Sequence, residues 1–389
     1  MELTIAQTVI LYFFFFTIEV AITYLIQKCI NAGKECRSYH RRFTISIKWK
    51  LLILEAVFIL LYVVIYACRN YKVGTDTEAY YQMYKYIIRN DSFLFIATLH
   101  GVEFAYELMY TLVVHLSNVL FDSFQGFLGM MAIIQLFFFR SFSKYSIKEY
   151  NIKLYDITLL YFMLLFAPSF NIMRQTLAVC IAFWSLKYLY LRNLKLYAIS
   201  IFIASLFHIS AIFTILFYFL YDTKETNSRI KEKAVIVGCV LSPLLFSWMM
   251  NLISMIPFAQ KYYGLYSATN ISVGATHFAI LNITLRAPIV LLLVFYHNAL
   301  VQRNRKNRFL FVIYVFQVSC FFLSVWQHWA FRMAYYGMFA DFLLVPQLFD
   351  IQKGRKQAYR ALISFFYILF FFLTTVQRKY DGIVPYIFN

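Results

Sequence analysis

The chain has 389 residues, of which 62% are hydrophobic and 21% aromatic, while only 14% are charged. This balance excludes a soluble globular domain and is typical of a polytopic protein of the bacterial inner membrane. We attribute the formal net charge of +18 to cationic loops that face an anionic cytoplasmic leaflet, and we expect no nucleic-acid partner.

Long apolar runs recur along the whole chain. A membrane-spanning helix needs about 20 mainly apolar residues, because each residue advances the helix by about 1.5 Å. The first run, 3–26, has no basic segment before it and no cleavage site after it, so we interpret it as a retained helix. The further candidates for spanning helices are 51–67, 121–139, 154–168, 174–191, 234–253, 278–299, 309–326, 333–349 and 361–376.

The charges of the loops predict which side of the membrane each loop faces, because cytoplasmic loops carry an excess of Lys and Arg. The loop 68–103 balances four basic against four acidic residues and contains an amphipathic segment, so we expect it outside, together with the loop 254–277. We expect the strongly basic segments in the cytoplasm; these are 28–50, 144–153, 303–308 and 353–360.

The 25-residue run 197–221 is compatible with one long span or with two short ones that meet near His208. Only two short crossings, turning at the outer face, keep every strongly basic loop on one side. Parity then requires that the stretch 103–119 lies in the membrane plane or re-enters. The sequence thus predicts an all-α fold in a single membrane domain, 1–389, with about 12 transmembrane helices and both termini outside.

Patterns for metal or nucleotide binding are absent from the sequence. The six cysteines are scattered, without a CxxC pair or a histidine at metal-ligand spacing, so we expect neither a disulfide nor a metal site. The chain has no P-loop, no GxGxxG, GxSxG or HExxH motif and no DxD-type acidic pair. We therefore expect no cofactor and no nucleotide-sugar donor.

Arg174 lies between two apolar runs, directly before Gln175. A charge near hydrocarbon costs about 2.5–3.5 kcal/mol even on lenient insertion scales and is normally retained for function. A helix that begins at this point after the turn at Pro168 would present free N–H groups beside a guanidinium, which suits an anion. The alternative is an arginine that extends its charge to the membrane interface.

Arg69 and Asp76 flank Gly74 on the outer side of the second span. Arg69 has the planar fork that binds a phosphate through two hydrogen bonds, and Asp76 has an oxygen for a sugar hydroxyl. The alternative is an interfacial arginine followed by a tight turn at Gly74 and a helix cap.

His208 is the only ionisable residue in 197–221. Histidine titrates near neutral pH, which suits a general base, while the alternative is a buried histidine that bonds to Ser205 or Ser210. Glu107 is a second candidate base; with Glu103 at helical spacing, it equally fits the solvated face of a surface helix.

Arg332 is a third charge near an apolar run, and Tyr335 and Tyr336 follow it by one helical turn. Aromatic rings stack on the faces of sugars, but they also form the belts at membrane interfaces. Both readings stay open from the residues alone.

In this order, the motifs resemble the EpsG family of Wzy-like bacterial polysaccharide polymerases, over nearly the whole chain. They are Arg69 with Gly74-Thr75-Asp76 and Tyr80, then Glu107, Arg174-Gln175-x-Leu177-Ala178, Phe207-His208-x-Ser210-Ala211, Arg332 with Tyr335 and Pro346, and the tail Val384-Pro385-Tyr386.

The resemblance implies a fold of the GT-C type, an active site at the outer face of the cytoplasmic membrane, and substrates carried on undecaprenyl pyrophosphate. Metal-independent glycosyl transfer would then use Arg174, Arg69, Arg332 and Gln175 on the pyrophosphate. His208, Glu107 or Asp76 would take the acceptor proton, and Tyr335, Tyr336 and Tyr80 would contact sugar. A chain-length regulator and a flippase are expected partners beside the lipid bilayer. A lipid-linked oligosaccharide flippase and an O-antigen-type ligase are the alternative functions.

Overall fold

The computed structural model describes residues 1–35, 41–90, 96–99, 102–105, 108–255, 273–325, 330–351 and 354–389. These residues form an almost wholly helical protein, in agreement with the predicted class. In chain order the elements are α1 Ile5–Glu35, α2 Arg41–Ala67, α3 Thr77–Asn90, β1 Ile96–Leu99, β2 Val102–Ala105, α4 Leu108–Phe121, α5 Phe124–Tyr150, α6 Leu154–Leu164, α7 Phe166–Asn171, α8 Met173–Tyr190, α9 Leu194–Ser205, a 3-10 helix Ile209–Thr214, α10 Ile215–Leu220, α11 Glu225–Ser254, α12 Val273–Phe295, α13 His297–Arg303, α14 Asn307–Leu323, α15 Ala330–Gly337, α16 Phe339–Phe349, α17 Lys356–Phe371 and a π-helix Phe372–Gln377.

Several of these helices are long and apolar enough to cross a membrane. Among the described residues, four meet that test, or five if a pair bent by 63° counts as one span. Many of their apolar side chains point outwards, with Ile10 67% and Leu60 61% exposed, as expected where lipid replaces water. The chain is therefore a multi-pass membrane protein. The count of about 12 crossings and the GT-C-type fold stay predictions.

The basic loops meet at one end of the helices, which we call the basic end. Lys306 Nζ lies 2.5 Å from Glu149 Oε1, and Arg308 Nη1 lies 2.5 Å from Glu232 Oε2. The prediction that 303–308 and 144–153 share a side is confirmed. That this side is the cytoplasm stays a prediction from the excess of positive charge.

The opposite end, which we call the tail end, is closed by the C-terminal segment 381–389, which we call the tail. This segment forms antiparallel backbone bridges from Ile387 to Glu2 and from Phe388 to Arg69. Tyr12 Oη donates to the carbonyl of Ile383 at 2.8 Å. Both termini therefore lie at the same end, as the sequence predicted.

The run 194–220 turns at the tail end. Helix α9 ends at Ser205 and the 3-10 helix begins at Ile209, with His208 in an extended conformation between them. At the other end of this hairpin, Arg192 Nη1 donates to the carbonyls of Tyr218 at 2.8 Å and Tyr221 at 2.9 Å. The prediction of two short segments that meet near His208 is confirmed.

The stretch 103–119, which was expected to lie in the membrane plane or to re-enter, contains the end of strand β2 and most of helix α4. Glu103 lies in strand β2, opposite Thr98 in an antiparallel hairpin with β1, and α4 begins only at Leu108. Because β2 is extended, Glu103 and Glu107 do not share a helix, so the predicted solvated face of a surface helix is wrong. Glu107 itself lies outside the described residues, as does most of the loop 254–277.

The amphipathic segment within 68–103 is helix α3. Its buried side chains, Thr77, Tyr80, Tyr84 and Ile87, recur at helical spacing and face the bundle. Helix α3 therefore lies against the bundle and presents Tyr80 to its interior.

A buried charge network joins four helices in the second half of the chain. Arg286 Nη1 lies 3.0 and 2.9 Å from the two carboxylate oxygens of Asp341, which also accept from Gln317 at 2.6 Å and Tyr367 at 2.8 Å. A buried carboxylate is tolerated when a cation and hydrogen bonds surround it in this way. The network therefore fixes how α12, α14, α16 and α17 pack.

Candidate active site

The break between α7 and α8, residues 170–174, is the centre of the site; we call it the junction. Helix α7 ends at Asn171 and α8 begins at Met173, so the carbonyls at the end of α7 are open to other donors. The carbonyl of Phe170 accepts from Arg69 Nη2 at 3.3 Å and from Thr77 Oγ1 at 3.1 Å. The junction thereby holds the turn that follows α2.

Arg69 is fully buried beneath the tail, and its predicted binding of a phosphate stays a prediction. Its guanidinium carbon lies 4.2 Å from the ring centroid of Tyr66 and 4.0 Å from that of Phe170. Nη2 also contacts Met173 Sδ at 3.3 Å, while Nε and Nη1 have no hydrogen-bond partner within the described parts of the chain. Stacking between two rings and bonding to a carbonyl make Arg69 an anchor of the junction.

Gly74 forms the tight turn that the sequence predicted. Its φ is +102°, and a Cβ at this position would lie 2.7 Å from Asn171 Oδ1, so no other residue fits without a shift. Its N–H donates to the carbonyl of Gly382 at 2.9 Å. Asp76 follows in this turn, half-buried, and accepts from Thr75 Oγ1 at 3.1 Å. The turn connects the junction to the tail.

Asp381 completes the site and was missed by the sequence analysis. Asn171 Nδ2 donates to its carbonyl at 2.7 Å, and Thr375 Oγ1 donates to its Oδ2 at 3.3 Å. Burial raises the pKa of the Asp381 carboxyl from 3.8 to about 6, against the opposing effect of the hydrogen bonds from Thr375 and Asn171, while the nearby Asp76 raises it further. One signal was available: Asp381 is the only acidic side chain after the last predicted span, next to Gly382.

Arg174 lies at the start of α8, as the sequence predicted, against two tyrosine rings. Its guanidinium carbon is 5.8 Å from the ring centroid of Tyr80 on α3 and 5.4 Å from that of Tyr110 on α4. The two ring centroids are 5.9 Å apart. Arg174 is half-buried, unlike Arg69. It therefore combines an accessible charge with an aromatic wall, of which Tyr110 was not predicted.

Gln175 and Arg332 are joined by a hydrogen bond. Gln175 Nε2 donates to the carbonyl of Arg332 at 2.7 Å, and the Gln175 side chain is 2% exposed. Gln175 thus holds the start of α15 beside the start of α8, while its contact with pyrophosphate stays a prediction. Arg332 remains half-buried, at the same end as Arg174.

His208 is half-buried at the turn between α9 and the 3-10 helix. The backbone N–H of Met109, at the start of α4, donates to the carbonyl of Leu206 at 3.1 Å. On the other side, the hydroxyls of Ser210 and Tyr336 are 2.9 Å apart. These bonds place the histidine turn between α4 and α15, at the end of the helices where the junction lies.

The tyrosines predicted to stack on sugar expose little of their rings. Tyr335 is 4% exposed, Tyr336 is 0% exposed and Tyr80 is 7% exposed. Tyr335 lines a small cavity with Pro168, Asn282 and Asp381, while Tyr336 pairs with Ser210. In this structure they form part of the walls of the site, and their stacking on sugar stays a prediction.

The arrangement brings cations and proton acceptors together at one end of the bundle. Arg174 and Arg332 suit a multiply charged anion, and His208, Asp76 and Asp381 are groups that accept protons. Within the described ranges, no group of three or more His, Cys, Asp and Glu side chains is placed to hold a metal ion. Such groups bind an anion and accept a proton from a hydroxyl.

Comparison with known proteins adds one finding. The model of the EpsG family matches residues 52–388, a range that contains all of the site residues named above. No curated protein and no solved structure matches the chain.

Proposed function

The chain belongs to the EpsG family, and from this membership we propose that it polymerises oligosaccharide repeat units carried on undecaprenyl pyrophosphate. The product would be an exopolysaccharide, capsule or O-antigen, made at the outer face of the cytoplasmic membrane. Membership itself supports a membrane protein of polysaccharide biosynthesis. One observation carries the proposal further: segments far apart in sequence, around Arg69, Arg174, His208 and Arg332, meet at the end opposite the basic loops.

In the proposed reaction, a hydroxyl of the acceptor repeat unit attacks the anomeric carbon of the donor chain. A glycosidic C–O bond forms, the bond from the anomeric carbon to the phosphate oxygen breaks, and the lipid pyrophosphate leaves with the electron pair. The hydroxyl proton passes to a base. Because the leaving group gains negative charge, fixed cations beside it lower the barrier most.

Arg174 and Arg332 are the cations that we assign to the pyrophosphate. Both are half-buried at the tail end, and Gln175 fixes their helices to each other through the Arg332 carbonyl. Arg69 is fully buried, so we give it a positioning role through Phe170. The planar fork of arginine matches two phosphate oxygens, which an ammonium group does not.

His208 is the first candidate for the base, since it is half-buried at a turn of extended backbone beside α4 and α15. Glu107 and Asp76 are the second and third candidates. A single inverting displacement needs one base and no covalent intermediate.

The test is reconstitution of the purified protein in liposomes with lipid-linked repeat units and no other enzyme. We expect a ladder of glycans that grows by one repeat, with one undecaprenyl pyrophosphate released per bond. Movement of lipid-linked repeats across the bilayer without new glycosidic bonds would identify a flippase. Transfer of preformed chains to a different acceptor, without growth by repeats, would identify a ligase.

A further inference from the structure

A cavity of about 800 Å³ opens at the basic end, remote from the candidate active site. It lies between the C-terminal part of α1, the N-terminal part of α2, the end of α5 and the start of α6. Residues 12 and 28 of α1 are about 24 Å apart at 1.5 Å per residue, and Tyr12 contacts the tail while Lys28 lines this cavity. The two sites therefore lie at opposite ends of one helix.

The cavity wall carries a surplus of positive charge. Its charged lining residues are Lys28, Lys144, Lys148, Lys153, Glu55 and Asp350. Glu55 is already paired with Arg140 at 2.6 Å and Lys144 at 3.3 Å, and Asp350 is paired with Lys356 at 3.4 Å. Within the described ranges, Lys28, Lys148 and Lys153 form no close ion pair with an acidic side chain, although Asp156 lies near enough to Lys153 to interact with its charge. Three ammonium groups are thus left to attract an anion.

Two of these lysines each lie over a tyrosine ring, and the two rings contact each other. Lys28 Nζ lies 4.8 Å from the ring centroid of Tyr24, and Lys153 Nζ lies 5.8 Å from that of Tyr155. The two rings meet edge to face, with centroids 5.5 Å apart. Gln27 Oε1 accepts from the N–H of Leu154 at 3.1 Å, which ties α1 to the start of α6. The spacing of the lysines is therefore set by the packing of α1 against α6.

The remaining wall of the cavity is apolar. Ile30, Leu51, Ile147 and Ile152 contribute this surface. A volume of this size holds a drug-sized molecule. Cations beside hydrocarbon side chains in one cavity match a molecule with an anionic head and an apolar tail.

We propose that this cavity binds the phosphate-bearing headgroup of an anionic membrane lipid from the leaflet at the basic end. The lysines contact the phosphate, and the isoleucines and Leu51 cover the first carbons of the acyl chains. The shared chemistry is a phosphate, which a soluble phosphate compound also carries. The apolar wall favours the lipid.

The experiment compares wild-type protein with the triple variant K28Q/K148Q/K153Q, purified in a neutral detergent. The readout is the melting temperature during titration with short-chain phosphatidylglycerol, with short-chain phosphatidylcholine as the neutral lipid. A matched variant, K72Q/K195Q/K224Q, removes three charges from exposed lysines that do not line the cavity. We expect phosphatidylglycerol to stabilise the wild type and the matched variant, and to bind the cavity variant at least ~10-fold more weakly, since three ammonium contacts are lost.

Two results overturn the proposal: equal binding by the cavity variant and the wild type, or equal weakening by the matched variant. A separate titration with inorganic pyrophosphate identifies the source. Stabilisation of the wild type but not of the cavity variant by pyrophosphate alone supports the phosphate site and assigns it to a soluble ligand. If the triple variant does not fold, the single charge-reversal variant K148E, at an exposed lysine, replaces it. We again expect weaker binding of phosphatidylglycerol than in the wild type.

Discussion

Asn171 and Asp381 are 210 positions apart in sequence and are joined by a hydrogen bond of 2.7 Å between Asn171 Nδ2 and the Asp381 carbonyl. The same amide lies 3.5 Å from Asp381 Oδ1. This contact attaches the tail to the junction from which Arg174 projects. The tail is therefore a wall of the candidate active site.

The Asp381 carboxyl should make the tail end more stable in acid. Its pKa in the folded protein is raised from 3.8 to about 6 by burial, so folding favours the protonated form. The stabilisation is fully present below about pH 4 and is lost as the pH rises through 6. We expect the melting temperature of the wild type to fall by a few degrees over this range.

D381N should flatten this dependence of the melting temperature on pH. D122N, at an exposed aspartate with a positive φ that asparagine tolerates, should leave the dependence as in the wild type. An identical slope in D381N and wild type would contradict this assignment.

Arg69 should be needed for stability. Replacement by alanine removes a guanidinium packed between Tyr66 and Phe170 and one donor to the Phe170 carbonyl. We expect a loss of about 2–4 kcal/mol of unfolding free energy, in the range for buried side chains with a broken hydrogen bond. Fluorescence-detected gel filtration after heating measures it. If the alanine variant kept full stability but lost polymerisation, Arg69 would instead contact the substrate directly.

Arg174 should be needed for the reaction and dispensable for folding. R174K keeps the charge but loses the fork, so we expect at least ~10²-fold slower polymerisation, in line with removal of one preorganised donor. The amount of protein in the membrane should not change. R89K, at an exposed arginine in the last turn of α3, is the matched control. Wild-type chain lengths made by R174A would leave only the reading of an arginine that reaches to the interface.

Substitutions at His208 distinguish a chemical role of this residue from a structural one. If it takes the acceptor proton, H208A and H208Q should both slow transfer by about 10²–10⁴-fold, because glutamine hydrogen-bonds but does not accept a proton at neutral pH. Lipid-linked single repeats should then accumulate in cells. The structural role gives the opposite order, with H208Q active and H208A depleted from the membrane. In-vitro polymerisation with matched amounts of protein decides between them, and an active H208Q moves the role to Glu107 or Asp76.

Cysteine labelling tests the sidedness of the two ends. The contact between Lys306 and Glu149 places 303–308 at the basic end, and Lys72 is exposed at the tail end. On a background without the six native cysteines, we expect an impermeant reagent added outside to label K72C and not R305C. The reverse pattern would place the candidate active site in the cytoplasm.

The sequence predicted the features that depend on local pattern and on charge counting. The turn at His208 followed from the need to keep basic loops on one side, and the turn at Gly74 from the residue type. Burial by segments that are distant in sequence could not be predicted. Nothing near Arg69 indicates that the tail covers it, and nothing near Tyr335 indicates that its ring is enclosed. The position of Asp381 in the site depends on its hydrogen bond with Asn171, 210 positions earlier.

The ion pair of Arg286 with Asp341 shows the same limit. Each residue lies in an apolar helix, and their 55-residue separation leaves no sign of pairing in the sequence. An apolar run that contains one charge still has the composition of a membrane-spanning helix, so the sequence does not show that these two charges pair.

The bridge between Arg69 and Phe388 has a consequence for biogenesis. Translation proceeds from the N-terminus, so the strand partner of Arg69 leaves the ribosome after some 300 further residues have been inserted into the bilayer. Until residues 381–388 have been made, Arg69 lies on an open surface, in contact with Phe170, Met173 and the ring of Tyr66. A nascent chain arrested before that point therefore lacks one wall of the candidate active site until synthesis continues.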